Sequence, residues 1–157
     1  MAAKPESGEK LIASNKKALH DYFILQKFEA GLMLTGTEVK SLRDGKANLK
    51  DAYVIFKNDE AFLFGAHISP YSHGNLENHE PERTRKLLLH RREIDKLRVQ
   101  TTEKGMSVVP LRLYFKGSRV KTEIAIVRGK KQYDKRETEK KREADREAAS
   151  AMKERQR

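Results

Sequence analysis

Apolar residues in this chain recur mainly at every second position, and the clearest run comes late. Leu111, Leu113 and Phe115 alternate with Arg112, Tyr114 and Lys116, Gly117-Ser118 supplies a two-residue turn, and Thr122, Ile124 and Ile126 alternate with Lys121, Glu123 and Ala125 on the return. Period two predicts a β-hairpin with one face in a core and the other polar. A second hairpin is predicted from Ala52-Tyr-Val-Ile-Phe56 and Ala61-Phe-Leu-Phe-Gly-Ala-His-Ile68 around a turn at Lys57-Asn58-Asp59-Glu60. His20-Asp-Tyr22-Phe23-Ile24-Leu25, continuing through Phe28 toward Gly31, has the composition of a first strand.

Helical signals are fewer. Thr35-Gly-Thr-Glu38 has the spacing of a capping box, so a short helix should follow, with Val39 and Leu42 inward, Lys40 and Arg43 outward and Gly45 as its left-handed end. Arg91 to Arg98 predicts a helix burying Ile94 and Leu97, and Arg85 to His90 reads as a short strand or a helix entry. Residues 69–83 read as a loop. Five or six short strands with two or three short helices predict a mainly β fold, an antiparallel barrel of the oligonucleotide-binding type over residues 15–128. Residues 1–14 are small and polar, a flexible leader with at most a turn at Leu11-Ile12-Ala13.

Charge changes the picture at the end of the chain. Residues 129–157 carry 18 charged side chains, eleven of them Lys or Arg, and no apolar stripe. Pairs such as Glu137/Lys141 and Glu143/Arg146 contribute only ~0.2–0.5 kcal/mol each. This tail should be disordered when free and helical in a charged groove. The whole chain carries a net +11 at pH 7, which nominates nucleic acid as partner. Arg83-Thr-Arg-Lys86 with Arg91-Arg92, and Lys40, Arg43 and Lys46, form two basic edges suited to phosphate. Tyr22, Tyr71 and Tyr114 are candidate base-stacking platforms, whereas Phe23, Phe28, Phe56, Phe62, Phe64 and Phe115 read as packing. Tyr133, between Lys130-Lys131 and Lys135-Arg136, has no core available to it.

Other chemistry is poorly represented. There is no cysteine, hence no thiolate metal site. His73, Glu77 and His79 share the long loop, but their spacing matches no common ligand motif. Without a phosphate loop, nucleophile elbow or paired carboxylates, the chain reads as a non-enzyme with no cofactor and no metal. No apolar run approaches the ~18 residues of a spanning helix, so a cytoplasmic, monomeric protein with no membrane partner is expected.

Several runs together resemble the small protein B family, the SsrA-binding proteins that partner bacterial transfer-messenger RNA. They are Asn15-Lys-Lys-Ala18, His20-Asp-Tyr-Phe-Ile24, Phe28-Glu-Ala-Gly31, Leu34-Thr-Gly-Thr-Glu-Val-Lys-Ser-Leu-Arg43, Arg85-Lys-Leu-Leu-Leu-His-Arg-Arg-Glu-Ile94 and Gly129-Lys-Lys-Gln-Tyr-Asp-Lys-Arg136. The resemblance implies a barrel that grips the tRNA-like domain of transfer-messenger RNA and delivers it to stalled ribosomes for trans-translation. By matched motif it implies RNA contacts at Glu29, Leu88 and Lys121, with His20 and Tyr22 as neighbours. It also implies that Gly129, Lys130, Lys131, Tyr133, Asp134, Lys135 and Arg136 enter the decoding site and vacant mRNA channel of the small ribosomal subunit. A ribosome- or tRNA-associated barrel without a dedicated RNA is the other reading of the same basic surface.

Overall fold

Antiparallel pairing organises the body of the molecule. A computed structural model describes residues 8–72, 77–103, 105–130 and 132–155, the side chains of 132–134, 137–138 and 149–155 excepted. In chain order the elements are β1 (Glu9–Ser14), α1 (Lys16–Asp21), β2 (Tyr22–Leu32), α2 (Gly36–Arg43), β3 (Ala47–Asn48), β4 (Tyr53–Lys57), β5 (Glu60–Phe64), β6 (His67–Ile68), β7 (Arg85–Leu88), α3 (Arg91–Gln100), β8 (Met106–Lys116), β9 (Arg119–Gly129) and α4 (Gln132–Arg155). Seven strands form one sheet in the order β1-β8-β9-β2-β7-β5-β4, and β3 pairs with β6 separately.

Both predicted hairpins are present, β4–β5 and β8–β9. Asn58 and Asp59 at the first turn have φ of 52° and 62°, the left-handed pair that matches strand twist in a two-residue hairpin. The mainly antiparallel β architecture is as the pattern predicts. The sheet is an open, curled version of the barrel: β4 approaches β8, but β1 and β4 remain edges without closing a hydrogen-bonded ring.

Two bulges decide which face each residue takes. Pairing slips between Ile24 and Gln26 in β2 and between Pro110 and Arg112 in β8, and a one-residue slip moves everything beyond it to the opposite face. The main core therefore holds Ala30, Leu113, Phe115, Ile124 and Ile126 with Leu42, Leu63, Leu87, Ile94 and Leu97, whereas Val109, Leu111, Ala125 and Val127 pack on the other face beneath Ala18 of α1. Leu111 thus leaves the face that strict alternation assigns it with Leu113 and Phe115.

Glu38 ties the helical layer to the sheet. The Thr35 N–H donates to its Oε1 at 2.8 Å, as the capping box predicts. Arg83 donates to Oε1 at 2.6 Å and Arg85 to Oε2, while Arg85 also donates to the carbonyls of Ala66 at 2.8 Å and Pro81 at 3.0 Å. Glu38 and Arg85 are fully buried. Burial alone would raise the Glu38 pKa, but the Arg83 hydrogen bond, the Thr35 N–H and Arg85 outweigh it and hold the carboxyl at about 2.

Three expectations from the sequence are corrected by the fold. Residues 9–14 of the supposed leader form β1 against β8, because the β8 edge offers backbone groups that require partners; residues 1–7 lie outside those described. His20 and Asp21 end a helix rather than begin a strand, since the Asn15 side chain accepts the Ala18 N–H and caps α1. Arg83 and Arg85 are internal ion-pair donors, not a phosphate-facing edge, and Lys86 pairs with Glu60 at 3.1 Å.

Candidate nucleic-acid interface

Three of the residues implied as RNA contacts come together from distant parts of the chain. Register places Gly31 of β2 opposite both Leu88 of β7 and Lys121 of β9, and Glu29 lies two residues back on the same face. Glu29, Gly31, Lys86, Leu88, His90 and Lys121 line an open groove of about 520 Å³. Gly31 has a packing reason for lacking a side chain. A Cβ there would meet Leu88 Cβ at 3.2 Å and Lys121 Nζ at 3.6 Å, so glycine keeps the floor open. Leu88 is half exposed, an apolar surface inside a charged rim.

The Glu29 carboxylate is held in place rather than loose. Tyr114 O–H donates to its Oε2 at 2.5 Å and Lys116 Nζ lies 3.4 Å away. The Tyr114 bond lowers the Glu29 pKa against the opposing effect of desolvation, helped by Lys116 and Lys121. Burial, followed by the bond to Glu29, pushes the Tyr114 phenol up in turn. Tyr114 is itself buried, with the Arg112 guanidinium 4.4 Å from its ring centroid, so it is not the exposed stacking platform that alternation indicates. It does stand on the polar face, but Arg112 covers it. Its role as the donor that aims Glu29 has no signal in the sequence, because the two are 85 residues apart. Tyr114→Phe removes a hydrogen bond to a charged acceptor and should destabilise the fold by about 1.5–3 kcal/mol in chemical denaturation. It should also bring the Glu29 pKa back toward its ordinary value, which side-chain carboxyl NMR would read.

His20 and Tyr22 lie elsewhere. Tyr22 opens β2, seven residues or roughly 23 Å along the strand from Glu29, and His20 sits beside it in the last turn of α1, where the tail begins. Lys130 N–H donates to the Asp21 carbonyl at 2.8 Å, Lys135 Nζ lies 3.5 Å from Asp21 Oδ1, and the His20 ring nitrogens face Asp21 at 2.8 Å and Glu139 at 2.7 Å. These contacts dock α4 on α1. Gly129 ends β9, Lys135 and Arg136 lie in α4, and Lys131 together with the side chains of Tyr133 and Asp134 falls outside those described.

Hydrogen bonds to Asp21 and then Glu139 raise the His20 pKa above its usual 6.5. Its contribution to docking is therefore complete below pH 6.5 and disappears as pH rises through the raised value. Amide NMR of α4 across about pH 5.5 to 8.5 should show the tail loosening from α1 at the alkaline end, and His20→Ala should abolish that pH dependence.

Of the loop histidines, His79 has both ring nitrogens engaged, with Thr37 Oγ1 at 2.9 Å and the Ile68 carbonyl at 2.8 Å. His73 lies outside the described residues. Among the described residues no cluster suited to a metal ion occurs, and no helix is long and apolar enough to cross a membrane.

The model of the family described as SmpB protein matches residues 12–154. The chain belongs to the SmpB family. An SsrA-binding protein of Geotalea uraniireducens is 62% identical over 149 residues, covering 95% of this chain and 99% of the relative. Another, from Geobacter sulfurreducens, is 59% identical over 147 residues, covering 94% and 96%. A solved chain described as "tmRNA-SmpB: a journey to the center of the bacterial ribosome" superposes with a TM-score of 0.66 at 42% identity, over 76% of this chain and 85% of its own. The SmpB match takes in the groove, α1 and most of α4 alike.

Proposed function

We propose that this chain is an RNA-binding factor that binds the tRNA-like domain of transfer-messenger RNA and delivers it to stalled ribosomes for trans-translation and ribosome rescue. The observation that carries the reading is the convergence of Glu29, Leu88 and Lys121, from three strands, on one open groove beside Gly31. Such a groove offers an acceptor, an apolar shelf and a cation side by side. A carboxylate cannot bind phosphate, but it accepts from ribose 2′-hydroxyls and base amines, which suits recognition of folded RNA by shape and donors. Membership of the SmpB family, relatives named SsrA-binding proteins and a solved relative described with transfer-messenger RNA and the ribosome support the same assignment.

On this reading Glu29, Leu88 and Lys121 contact transfer-messenger RNA, with Tyr22 toward the tail end of the same strand as Glu29 and His20 next to it at the end of α1. Gly129, Lys130 and Lys131, followed by Tyr133, Asp134, Lys135 and Arg136, meet the decoding site of the small subunit, and the remainder of α4 follows the empty mRNA channel. The factor acts as a monomer, in the cytoplasm, without catalysis. Competition binding tests it. Transfer-messenger RNA should displace the chain from bulk tRNA at physiological salt, because phosphate contacts alone are sequence-blind. Equal affinity for the two would favour a general ribosome- or tRNA-associated factor without a dedicated RNA.

A further inference from the structure

One aromatic ring at the root of the tail lies outside the groove. Phe23 is 37% exposed, although its place in a strand of apolar residues marks it for packing. Register pairs it with Arg128, and Arg128 with Met106, so the three side chains stand in one row across β2, β9 and β8. The Arg128 guanidinium carbon lies 5.4 Å from the ring centroid and the Lys130 ammonium 5.2 Å, both inside the ~6 Å reach of a cation–π contact. Arg128 makes no ion pair with a carboxylate among the described residues.

An occupant of such a site meets an aromatic face and two cations together. An acidic peptide would answer the cations and leave the ring in water, and an apolar partner would cover the ring while desolvating two charges. A nucleotide supplies both groups: a planar base for the ring and phosphates for the cations. We propose that Phe23, Arg128 and Lys130 form a clamp for one unpaired nucleotide at the root of the tail, its base stacked on the Phe23 ring and its phosphates held by the two cations. The proposal rests on the RNA-binding reading above and extends it to a second site. The bulge at Ile24/Gln26 puts Phe23 on the face of the sheet opposite Glu29, so the clamp takes a different nucleotide from any in the groove. That nucleotide comes either from transfer-messenger RNA or from ribosomal RNA, which present the same chemistry.

The test uses the full chain with Phe23→Leu, Phe23→Tyr and Arg128→Gln, measuring affinity for transfer-messenger RNA in one arm and for isolated small ribosomal subunits in the other. Phe23→Leu should weaken one arm on the order of tenfold, since a stacked base contributes that much, whereas Phe23→Tyr should stay within about twofold. Arg128→Gln should make the salt dependence of the same arm shallower by about one phosphate contact. The arm that responds identifies the source of the nucleotide. Phe23→Leu within about twofold of the parent in both arms, with unchanged thermal unfolding, would overturn the clamp. If Phe23→Leu does not fold, the Arg128→Gln salt slope decides: an unchanged slope in both arms rejects the proposal. Failure of the RNA-binding reading looks different, because the parent chain would then bind neither RNA.

Discussion

Glu38→Gln is expected to lower the stability of this protein by about 3–5 kcal/mol, the usual cost of removing one partner from a buried ion pair. Glutamine keeps nearly the same shape, so the loss would come from charge. Arg83 and Arg85 would retain two positive groups, with Arg85 fully buried, facing an amide that neutralises neither. Urea unfolding should show the midpoint fall, and the thermal midpoint should drop by roughly 10 °C for a domain of this size. The effect should reach beyond α2, because Arg85 also holds the Ala66 and Pro81 carbonyls and through them the approach to β6 and β7. An exposed pair provides the contrast. Asp59 bridges Arg98 and Arg91 at the surface, and Asp59→Asn should cost less than ~1 kcal/mol through lost ion pairing, any further loss reporting the left-handed turn position. The pH dependence follows from the same carboxyl. Its folded pKa of about 2 lies below the ordinary 4.5, so its contribution is complete above pH 4.5 and is lost as pH falls toward 2. Glu38→Gln should therefore flatten the acid limb of the stability profile, and a limb as steep as the parent's would assign acid unfolding to other carboxylates.

Removing residues from Tyr133 onward should separate the two activities. The groove that joins Glu29, Leu88 and Lys121 is built by β2, β7 and β9 and draws on none of the described residues of α4. Truncation takes away the surface pairs of Lys135 with Asp21 and Glu139 with His20, each worth no more than ~1 kcal/mol. Binding to transfer-messenger RNA should thus stay within a few-fold of the parent, while peptide tagging on stalled ribosomes should fall to background. Filter binding and a reconstituted tagging assay measure the two separately. Equal loss of both would place the tail within the RNA-binding surface and reject this division of labour.

How much of the molecule is legible before folding depends on the range of the signal. The β8–β9 hairpin, its Gly117-Ser118 turn and the Thr35 to Glu38 capping box rest on neighbours a few residues apart, and local pattern suffices for such features. Phe23 reads as packing because strand aromatics usually pack, yet it lies beyond the end of the core with two cations beside it. Alternation assigns Leu111 to the main core face because it carries no mark of a bulge. It assigns Tyr114 to the solvent side because no spacing announces Arg112 above its ring and Glu29 at its hydroxyl.

The candidate RNA residues show the same division. Glu29, Leu88 and Lys121 stand out through the motifs that carry the family resemblance, and nothing in their spacing says that they meet. Register brings them together, with Gly31 as the shared neighbour of Leu88 and Lys121.

Taken alone, the amino-acid order determined a basic, cysteine-free chain with a mainly antiparallel β body, two hairpins, a capped helix and a charged tail without an apolar face. All of these follow from composition or from contacts close in sequence. Only the tertiary structure decided that the sheet stays open, that Arg83 and Arg85 serve Glu38 rather than phosphate, and that Phe23 and Glu29 look out from opposite faces of one strand. The reason is physical: burial, ion pairing and strand register are settled between residues tens of positions apart, and a single bulge reverses the facing of every residue beyond it.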